Sequence, residues 1–461
     1  MNIQFNFGKK NLSNSQESAQ TKLRFLITGN FLGSQTKIIE KPFSINIDNF
    51  ETVLQTTRPT ISINGDVLEI DQLDDFHPDH LLRSRSNLSA LLDQYRSLKK
   101  DGERSPFFAT ALGAMTNMGS SSTEETYSSE TSDNSFDSLL SKNLTDRPST
   151  PRKSGNQNPT VSKIVEEALS GTKRFSDAMS GSVSGALSFI ESEMQSGLRT
   201  ILHDPSFKQI EARWLNLDNL MESFEDGEEA EILFMPLNKA QWEQWNANEF
   251  QELKTIVDHQ REFGKPINAV FISESMGENE AERESLAALS SISSATACPH
   301  FVGGEPALIG LDAFKGTISK SDLPDIVQTP WSSLKQTANP KAFNVVIPKI
   351  LYRLPYSPSK ESIDTFTFVE IEDFNDQSVL PWGDATLTAA KAYLKYFWET
   401  ESSSRPNATL QLGGVPVLTG PNGQIPATQS WMSEECAAAL ESAGLLPIIS
   451  SKNTDRVFLF F

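Results

Sequence analysis

The segment DDFHPDH brings together the side chains whose types and spacing most nearly suggest chemistry. His77 and His80 lie three positions apart with Asp75 close by, and imidazole and carboxylate groups are common ligands of a metal ion. Pro78 between the histidines instead favours the first turn of a helix, which a residue such as Asp75 or His77 can cap. The segment therefore predicts a capped helix start, with a metal site at His77, His80 and Asp75 as the alternative.

Other sequence patterns of catalysis are absent. The chain contains no G-x-S-x-G nucleophile elbow, no G-x-x-x-x-G-K-[ST] phosphate loop and no G-x-G-x-x-G dinucleotide fingerprint. Cys298 precedes Pro299 and His300 without the signature of a catalytic pair, and we interpret it as a small buried hydrophobic residue. The sequence therefore predicts a protein that is not an enzyme and has no catalytic, cofactor-binding or metal-binding residues.

The composition indicates the class of protein and its surroundings. The chain has 461 residues with 40 Lys+Arg against 60 Asp+Glu, a formal net charge of −20. This charge argues against nucleic-acid binding, because phosphate backbones attract basic surfaces. Two cysteines are too few for a disulfide framework, and no apolar run reaches the roughly 18–20 residues that span a membrane. We expect a cytoplasmic protein without membrane insertion.

The first hundred residues carry the pattern of a small α/β domain. After a polar tail at 1–21, the run LRFLITGNFLG predicts a buried strand, and KPFSINIDNFETVL predicts a short strand followed by a helix. Asn64-Gly65 between two alternating apolar runs predicts a β-hairpin. Leucines at three- and four-residue spacing up to Leu98 predict a further helix. We expect these elements to form one domain over residues 22–100.

The middle of the chain has a different composition. Residues 101–160 are rich in Ser, Thr, Asn and Asp and offer little apolar surface to bury, which predicts a disordered, flexible linker. A tract that binds a partner or is phosphorylated is the alternative for the same residues. Between 161 and 200 apolar residues return at helical spacing, interrupted near Gly171 and Gly181, which predicts an amphipathic helical segment.

Residues 201–461 alternate apolar strands with amphipathic helices, one of which is predicted to run from Asn238 to Arg261. This order is typical of an α/β fold with layered sheets and helices, so the sequence predicts two α/β domains joined by the linker. Trp214 falls on the apolar stripe of one helix, and Trp382 is expected at the start of another. With Phe31, these side chains are predicted to anchor the cores, because large aromatic side chains dominate packing energetics; a role at an interface is the alternative.

Several motifs resemble the contractile sheath proteins of bacterial type VI secretion systems. The N-terminal part is similar to the small sheath subunit, although Gly29-Asn30-Phe31 replaces the acidic turn that is usual in that family; the similar stretches are LRFLITGNFLG, KPFSINIDNFETVL and LEIDQLDDFHPDHLL. The C-terminal part resembles the large sheath subunit in the order and spacing of ILHDPSFKQIEARWLNL, FGKPINAVFIS, ATACPHFVGGEPALIGL, IPKILYRLPY, LPWGDATLTAAKAYL and LLPIISSKNTDRVFLFF. The resemblance covers 22–100 and about 195–461.

This resemblance implies a structural protein that acts mechanically, in which a small sheath subunit is fused to a C-terminally shortened large one. The implied partners are other sheath-type subunits, either copies of this chain or paralogues, together with inner-tube and baseplate proteins and a recycling unfoldase. Contraction would draw its work from the repacking of subunit interfaces. A non-polymerising cap, nucleator or baseplate adaptor is one alternative, and a soluble α/β ligand-binding protein or enzyme with an unrecognised site is another.

The last strand is the predicted point of contact with another chain. We expect it to form an unpaired edge that can add to a neighbouring sheet, because apolar residues occupy it up to its end: Val457, Phe458, Phe460 and Phe461. Asn453 and Asp455 are predicted to lie in the turn before this strand, with Thr454 between them.

Overall fold

A computed structural model of the chain describes residues 22–108, 182–223, 229–325, 328–337, 342–421 and 423–461. Three of the predicted segments lie wholly or mostly outside these ranges. The polar tail at 1–21, most of the linker at 101–160 and the first part of the helical segment, residues 161–181, lie outside the described residues.

Seventeen β-strands lie in the described residues, and most of them are short. They are β1 (Leu23–Gly29), β2 (Phe43–Ile45), β3 (Thr60–Ile63), β4 (Asp66–Glu69), β5 (Ala230–Pro236), β6 (Ala269–Met276), β7 (His300–Gly304), β8 (Thr317–Ile318), β9 (Phe343–Ile347), β10 (Ile350–Leu351), β11 (Trp382–Gly383), β12 (Thr409–Leu412), β13 (Leu418–Gly420), β14 (Gly423–Ile425), β15 (Trp431–Met432), β16 (Leu446–Ser450) and β17 (Val457–Phe460).

Eleven α-helices lie in the same described residues. They are α1 (Phe50–Thr57), α2 (Pro78–Ser84), α3 (Ser86–Asp101), α4 (Val183–Leu202), α5 (Pro205–Met221), α6 (Lys239–Ala247), α7 (Gln251–Glu262), α8 (Glu280–Thr296), α9 (Pro330–Thr337), α10 (Thr386–Thr400) and α11 (Glu434–Ser442). Many of these helix starts are encoded locally, because the preceding side chain accepts a hydrogen bond from the first turn, as at His77, Asp204, Asn238, Asn279 and Ser433. None of the helices just given combines the length and apolar character needed to cross a lipid bilayer.

Nine strands form one mixed sheet in the order β12-β17-β16-β9-β7-β6-β1-β5-β2. The six strands from β16 to β5 are parallel to one another. Antiparallel strands complete both sides, with β2 beside β5 and with β17 and β12 beyond β16. Central parallel strands are covered on both faces, which explains why all seven residues of β1 are buried, Arg24 and Thr28 included.

Alternate residues of the central strands enter two different cores. On one face the ring of Phe25 meets that of Phe271 edge-on, with centroids 4.9 Å apart, and Phe271 stacks on Phe301 at 4.7 Å. Tyr393 of α10 covers these rings and lies 5.2 Å from Phe25. The opposite core, beneath α6, α7, α8, α9 and α11, receives the residues in between, among them Leu26, Val270, Ile272, Val302 and Val345.

The chain divides into two compact units whose boundaries differ from the predicted domains. The sheet unit comprises Met1–Phe76, Ile201–Glu361 and Ile371–Phe461 and contains the nine-stranded sheet. The helical unit comprises His77–Thr200 and Ser362–Glu370. The separate domain expected over 22–100 is therefore not observed, because β1 lies at the centre of the sheet between β5 and β6.

The helical unit contains α2, α3 and most of α4, and its side chains bind the main chain of Ser362–Glu370. The Asp79 carboxylate accepts a hydrogen bond from the main-chain N–H of Asp364 at 2.8 Å. Arg199 of α4 donates two hydrogen bonds to the carbonyl of Val369, at 2.9 and 2.7 Å. Side chains of the helices thus hold this segment, which does not pair in a sheet.

Two local predictions had different outcomes. The hairpin at Asn64-Gly65 is confirmed, since β3 and β4 pair across it and both turn residues have positive φ angles of 51° and 88°. A single helix from Asn238 to Arg261 was wrong. The chain instead forms α6 and α7, separated by a break in which Phe250 has a φ of 57° and a fully buried ring.

Cutting the chain between residues 109 and 181 is expected to leave its two pieces associated. The piece that contains β1 cannot leave without opening the centre of the sheet, because β1 pairs on both sides with strands of the other piece. A site-specific protease sequence inserted at residue 150 allows the cut to be made after folding. Both pieces should co-elute in size-exclusion chromatography until denaturant is added, with uncut protein as the control. Elution of the N-terminal piece alone in native buffer would contradict the fold.

Candidate functional site

The strand order creates one crevice at the carboxyl ends of β1 and β6. From β1 the chain passes to β5 on one side and later to β6 on the other, so the direction of travel along the sheet reverses at β1. Ligands of open α/β sheets bind outside the carboxyl ends of the strands at such a reversal. This crevice is therefore the place where a catalytic or binding site is expected.

The side chain of Arg213 fills the crevice. Its guanidinium group donates hydrogen bonds to the carbonyl of Asn30, which follows β1, at 2.7 Å and to the carbonyl of Ser273 in β6 at 2.8 Å. It also donates to the carboxylate of Glu274 at 2.6 Å. Arg213 is only 4% exposed. Helix α5 thus inserts a buried cation at the position that a ligand takes in other α/β sheets.

Glu274 binds both the inserted cation and the loop after β1. One of its oxygens accepts from Arg213, and the other accepts from the N–H of Asn30 at 2.7 Å. Burial raises the pKa of the Glu274 carboxyl, while the Arg213 guanidinium and the bond from Asn30 oppose this rise. Such partners are necessary because an unpaired buried charge is costly.

Asp384 links the same strand end to α10. Its carboxylate accepts from the hydroxyl of Ser273 at 2.8 Å and from the N–H of Thr386, in the first turn of α10, at 3.1 Å. A negative charge at this end of a helix is also favoured by the helix dipole. Strands β1 and β6 therefore meet helices α5 and α10 in one network, called here the Arg213 network: Asn30, Arg213, Ser273, Glu274 and Asp384.

Two further ion pairs occupy the region that follows β7 and β9. Glu211 of α5 is fully buried and accepts from Arg353 at 2.8 Å and from the hydroxyl of Tyr352 at 2.5 Å. Glu305, directly after β7, pairs with Lys349 at 2.6 Å. Since each of these carboxylates is already bound by a cation of the chain, the arrangement is suited to positioning the loops after the strands.

The predicted anchors Phe31 and Trp214 pack against each other beside the Arg213 network. Both side chains are fully buried, and their ring centroids lie 5.7 Å apart. The indole Nε1 of Trp214 donates to the carbonyl of Phe31 at 2.9 Å. Phe234 of β5 meets both rings edge-on. These contacts place the two residues in the core of the sheet unit.

The sequence predicted that Trp382 begins a helix, and this prediction was wrong. It lies in β11 and pairs with Leu351 of β10, and its indole Nε1 donates to the carbonyl of Gln377 at 2.9 Å. Helix α10 begins only at Thr386, because Asp384 provides the acceptor for its first turn. The half-buried Trp382 packs on a small second core of the sheet unit.

The last strand is not the edge that we predicted. β17, which contains Val457, Phe458 and Phe460, is hydrogen-bonded to β16 on one side and to β12 on the other. Phe461, which follows it, packs against Phe301 at 6.0 Å and is 5% exposed. The prediction was wrong because the short run TLQL forms the strand β12, which covers β17. Its alternating leucines, followed by Gly413 and Gly414, were the available signal.

Asn453 and Asp455 lie in the turn before β17 and bind two other loops. The N–H of Asn453, a residue with a φ of 59°, donates to the side chain of Gln424. The Asp455 carboxylate accepts from the N–H of Gly414 at 3.1 Å, and its carbonyl accepts from Val415 at 3.1 Å. The turn therefore positions the loop that follows β12.

The outer side of β12 is one true edge of the sheet. Phe461 donates its N–H to the carbonyl of Ala408, so the alternation of an antiparallel ladder directs the main-chain groups of Thr409 and Gln411 away from β17. Lys395 of α10 donates to the outward carbonyl of Gln411 at 3.1 Å. A lysine at an edge makes uncontrolled pairing less favourable, although the outward N–H groups can still pair with another strand.

β2 forms the opposite edge of the sheet. The carbonyl of Ser44, in the middle of this strand, accepts from the side chain of Asn49 at 3.2 Å. Beyond β2 the chain exposes Ile47, a residue that is 49% accessible. Both edges of the sheet are therefore short and partly blocked by side chains, which is how natural sheets avoid uncontrolled pairing.

The metal-site hypothesis gains no support. His77 caps α2 by accepting from the N–H of Asp79 at 3.3 Å, which confirms the predicted helix start. Asp75 accepts from the N–H of Asp71 at 2.6 Å, and His80 lies in the first turns of α2. In the part of the chain that the structure describes, no three His, Cys, Asp or Glu side chains are grouped so that they could hold a metal ion.

Cys298 and His300 are buried beside each other at the amino end of β7. Nδ1 of His300 donates to the carbonyl of Cys298 at 2.8 Å, and Nε2 of the same ring has no hydrogen-bond partner. Burial lowers the pKa of His300 to about 4 and raises the pKa of the Cys298 thiol to about 12. Both groups are therefore neutral near pH 7, which agrees with a packing role for Cys298.

Comparison with known proteins identifies relatives of the chain. The model of the VipB family, described as EvpB/VC_A0108, tail sheath N-terminal domain, matches residues 185–461. The type VI secretion system sheath protein TssC1 of Pseudomonas aeruginosa is 22% identical over 359 residues, which cover 73% of this chain and 70% of the relative. Residues 185–461 make up less than 73% of this chain. The similarity to this relative therefore extends into the part of the chain before residue 185.

Replacing Arg213 by Met is expected to lower the free energy of unfolding by about 3–5 kcal/mol, because Glu274 then remains buried without its cation. The double variant Arg213→Met/Glu274→Met should recover part of this loss. Lys254→Met, which removes a partly exposed pair with Asp258, is the control and should cost about 1 kcal/mol or less. Urea unfolding measures all three, and equal losses for Arg213→Met and Lys254→Met would contradict the role of the network.

The burial of His300 predicts a loss of stability in acid. Its pKa lies at about 4 in the folded chain and near 6.5 when unfolded, so between these values the unfolded state takes up a proton that the folded state does not. The free energy of unfolding should fall by up to about 3 kcal/mol from this residue as the pH drops from 6.5 to 4. Urea unfolding of His300→Asn should show a shallower pH dependence, while the exposed control His259→Asn should follow the wild type. An unchanged slope for His300→Asn would show that this histidine is not responsible.

Proposed function

The chain belongs to the VipB tail sheath family, and from this membership we propose that it acts as a non-catalytic structural subunit of a type VI secretion apparatus. The observation that carries the proposal is the family match over residues 185–461, which include seven of the nine strands of the sheet. The crevice of the sheet supports a structural role, because Arg213 already occupies it.

Assembly with copies of the chain or with paralogous sheath-type subunits is the second part of the proposal. The sheet ends in two different edges, β12 and β2, each with outward main-chain groups. Pairing of unlike edges is heterologous, and heterologous contacts extend into rings or helical polymers rather than closed dimers. Two unlike edges on one subunit are therefore suited to a tubular lattice.

The N-terminal part takes a defined place in the proposed subunit. If residues 22–100 correspond to a small sheath subunit, they do not form a body of their own, since residues up to Phe76 belong to the sheet unit. A covalent connection to the later residues fixes the two parts at a ratio of one to one.

The proposed mechanism is mechanical and takes place in the cytoplasm. An assembled sheath stores free energy in its subunit interfaces and releases it when those interfaces repack during contraction, which drives an inner tube outward. Inner-tube and baseplate proteins and a recycling unfoldase are the further partners that this role requires. A cap, nucleator or baseplate adaptor that does not polymerise is the main alternative.

Electron microscopy of the purified full-length protein is expected to show tubes or rings. Assembly should increase between about 50 and 500 mM NaCl, because salt screens the repulsion between copies that each carry a formal charge of −20. Sedimentation velocity measures the same change in solution. A persistent monomer or dimer at every salt concentration would contradict polymerisation and favour the cap or adaptor.

Gln411→Pro should prevent this assembly without unfolding the subunit. Proline removes the outward N–H at this position and keeps the bonds of β12 to β17, which are made by the neighbouring residues. Gln411→Ala keeps the N–H and is the matched control. Tubes formed equally well by Gln411→Pro, with circular dichroism unchanged, would show that β12 is not an assembly edge.

A further inference from the structure

The break between α6 and α7 has a main-chain conformation that residues with a side chain rarely adopt. Glu249 and Phe250 are consecutive, and their φ angles are 51° and 57°. In this left-handed region the Cβ atom comes too close to a carbonyl oxygen, so glycine is the residue that adopts it without strain. Neither residue is glycine, and the break is therefore strained at two successive positions.

The hydrogen bonds of the break are those of a helix end. The N–H of Phe250 donates to the carbonyl of Trp245 at 2.7 Å, and the N–H of Glu249 donates to the carbonyl of Asn246 at 3.0 Å. This pair of bonds ends many helices, and the left-handed residue within it is usually glycine. Here Glu249 takes that place, so the helix ends without the residue that makes such an ending favourable.

The ring of Phe250 holds the chain in this conformation. It is fully buried, and its centroid lies 5.3 Å from that of Trp242. The ring belongs to the core beneath α6, α7 and α8, together with Leu253 of the next turn. Burial of a large aromatic side chain stabilises enough to offset local strain. The break therefore depends on the packing of one ring rather than on a local stop signal.

The local sequence favours a continuous helix through the same residues. Neither glycine nor proline, the two least favourable residues in a helix, occurs between Lys239 and Glu262. With 3.6 residues per turn, the apolar side chains of this stretch would lie within an arc of about 140° on one continuous helix. They are Trp242, Trp245, Phe250, Leu253, Ile256 and Val257. Places where a clear local pattern fails are expected to be strained or functional.

We propose that residues 239–262 form a two-state joint that the ring of Phe250 latches. In the latched state the ring is in the core and the chain breaks at Glu249. In the other state the ring leaves this position, and α6 and α7 join into one helix of about 36 Å. Elements with two discrete packings are a means by which proteins change shape. The joint is a property of the single chain and does not rest on the proposed sheath function.

Distances between two spin labels test the joint in the full-length protein. Glu243→Cys and His259→Cys provide the labelling positions, because both residues are exposed, whereas the native Cys298 and Cys436 are buried. Electron paramagnetic resonance of the chain with its latch intact gives the distance of the broken form. A continuous helix would separate the two main-chain positions by about 24 Å.

Phe250→Ala removes the latch and should move the label distance to that of the continuous helix. Adding Glu249→Gly should restore part of the broken form, because glycine favours the left-handed conformation and disfavours a helix. Leu253→Ala removes an equally buried side chain of α7 and is the matched control, which should keep the broken distance. An unchanged distance in Phe250→Ala, with circular dichroism showing a folded protein, would overturn the proposal.

A second measurement tests the strain without removing the latch. Glu249→Gly in the otherwise unchanged chain should raise the melting temperature by about 1–2 °C, because it relieves the strain of the broken form. Thr255→Gly is the matched control at an exposed position that is helical in both states, and it should lower the melting temperature. A fall for Glu249→Gly as large as that for Thr255→Gly would show that the break is not strained.

Discussion

The burial of one guanidinium group is the constraint on which the rest of the sheet unit depends. Arginine stays charged in proteins and has five N–H donors, so Arg213 requires acceptors from several directions at once. They come from Asn30 after β1 and from Ser273 and Glu274, where β6 departs from regular pairing with β7. β1 and β6 must also approach closely here. A side chain at Gly29 would contact the Ser273 carbonyl at 3.0 Å, and the φ of 145° at this position suits glycine.

Local patterns in the sequence predicted several of the elements. The helix start at His77 depends on neighbouring residues alone, and the turn at Asn64-Gly65 requires positive φ angles that these two residue types tolerate. The anchoring role of Trp214 could also be predicted from the sequence, because this residue lies on the apolar stripe of α5. These features share one property: the residues that determine them lie within a few positions of one another.

Contacts between residues far apart in the chain could not be predicted in this way, and the candidate site is built from such contacts. Arg213 binds residues that lie 183, 60 and 61 positions away in the chain, and no short motif signals such a contact. The division into domains failed for the same reason, since nothing in LRFLITG shows that both of its neighbours come from beyond residue 229. The signal for β12 is weak, because a strand of four residues carries little pattern, although its position decides which strand is the edge.

For the proposed assembly, the buried ion pairs also limit which groups can join copies of the chain. Each pair, such as Arg213 with Glu274 or Arg353 with Glu211, removes one cation and one carboxylate from the surface. The excess of twenty negative charges is therefore left to the remaining charged groups, and like-charged surfaces repel one another. Contacts between copies must then use groups whose attraction does not depend on net charge. Main-chain N–H and carbonyl groups at the edges β2 and β12 are such groups, which makes strand pairing better suited to this acidic protein than surface ion pairs.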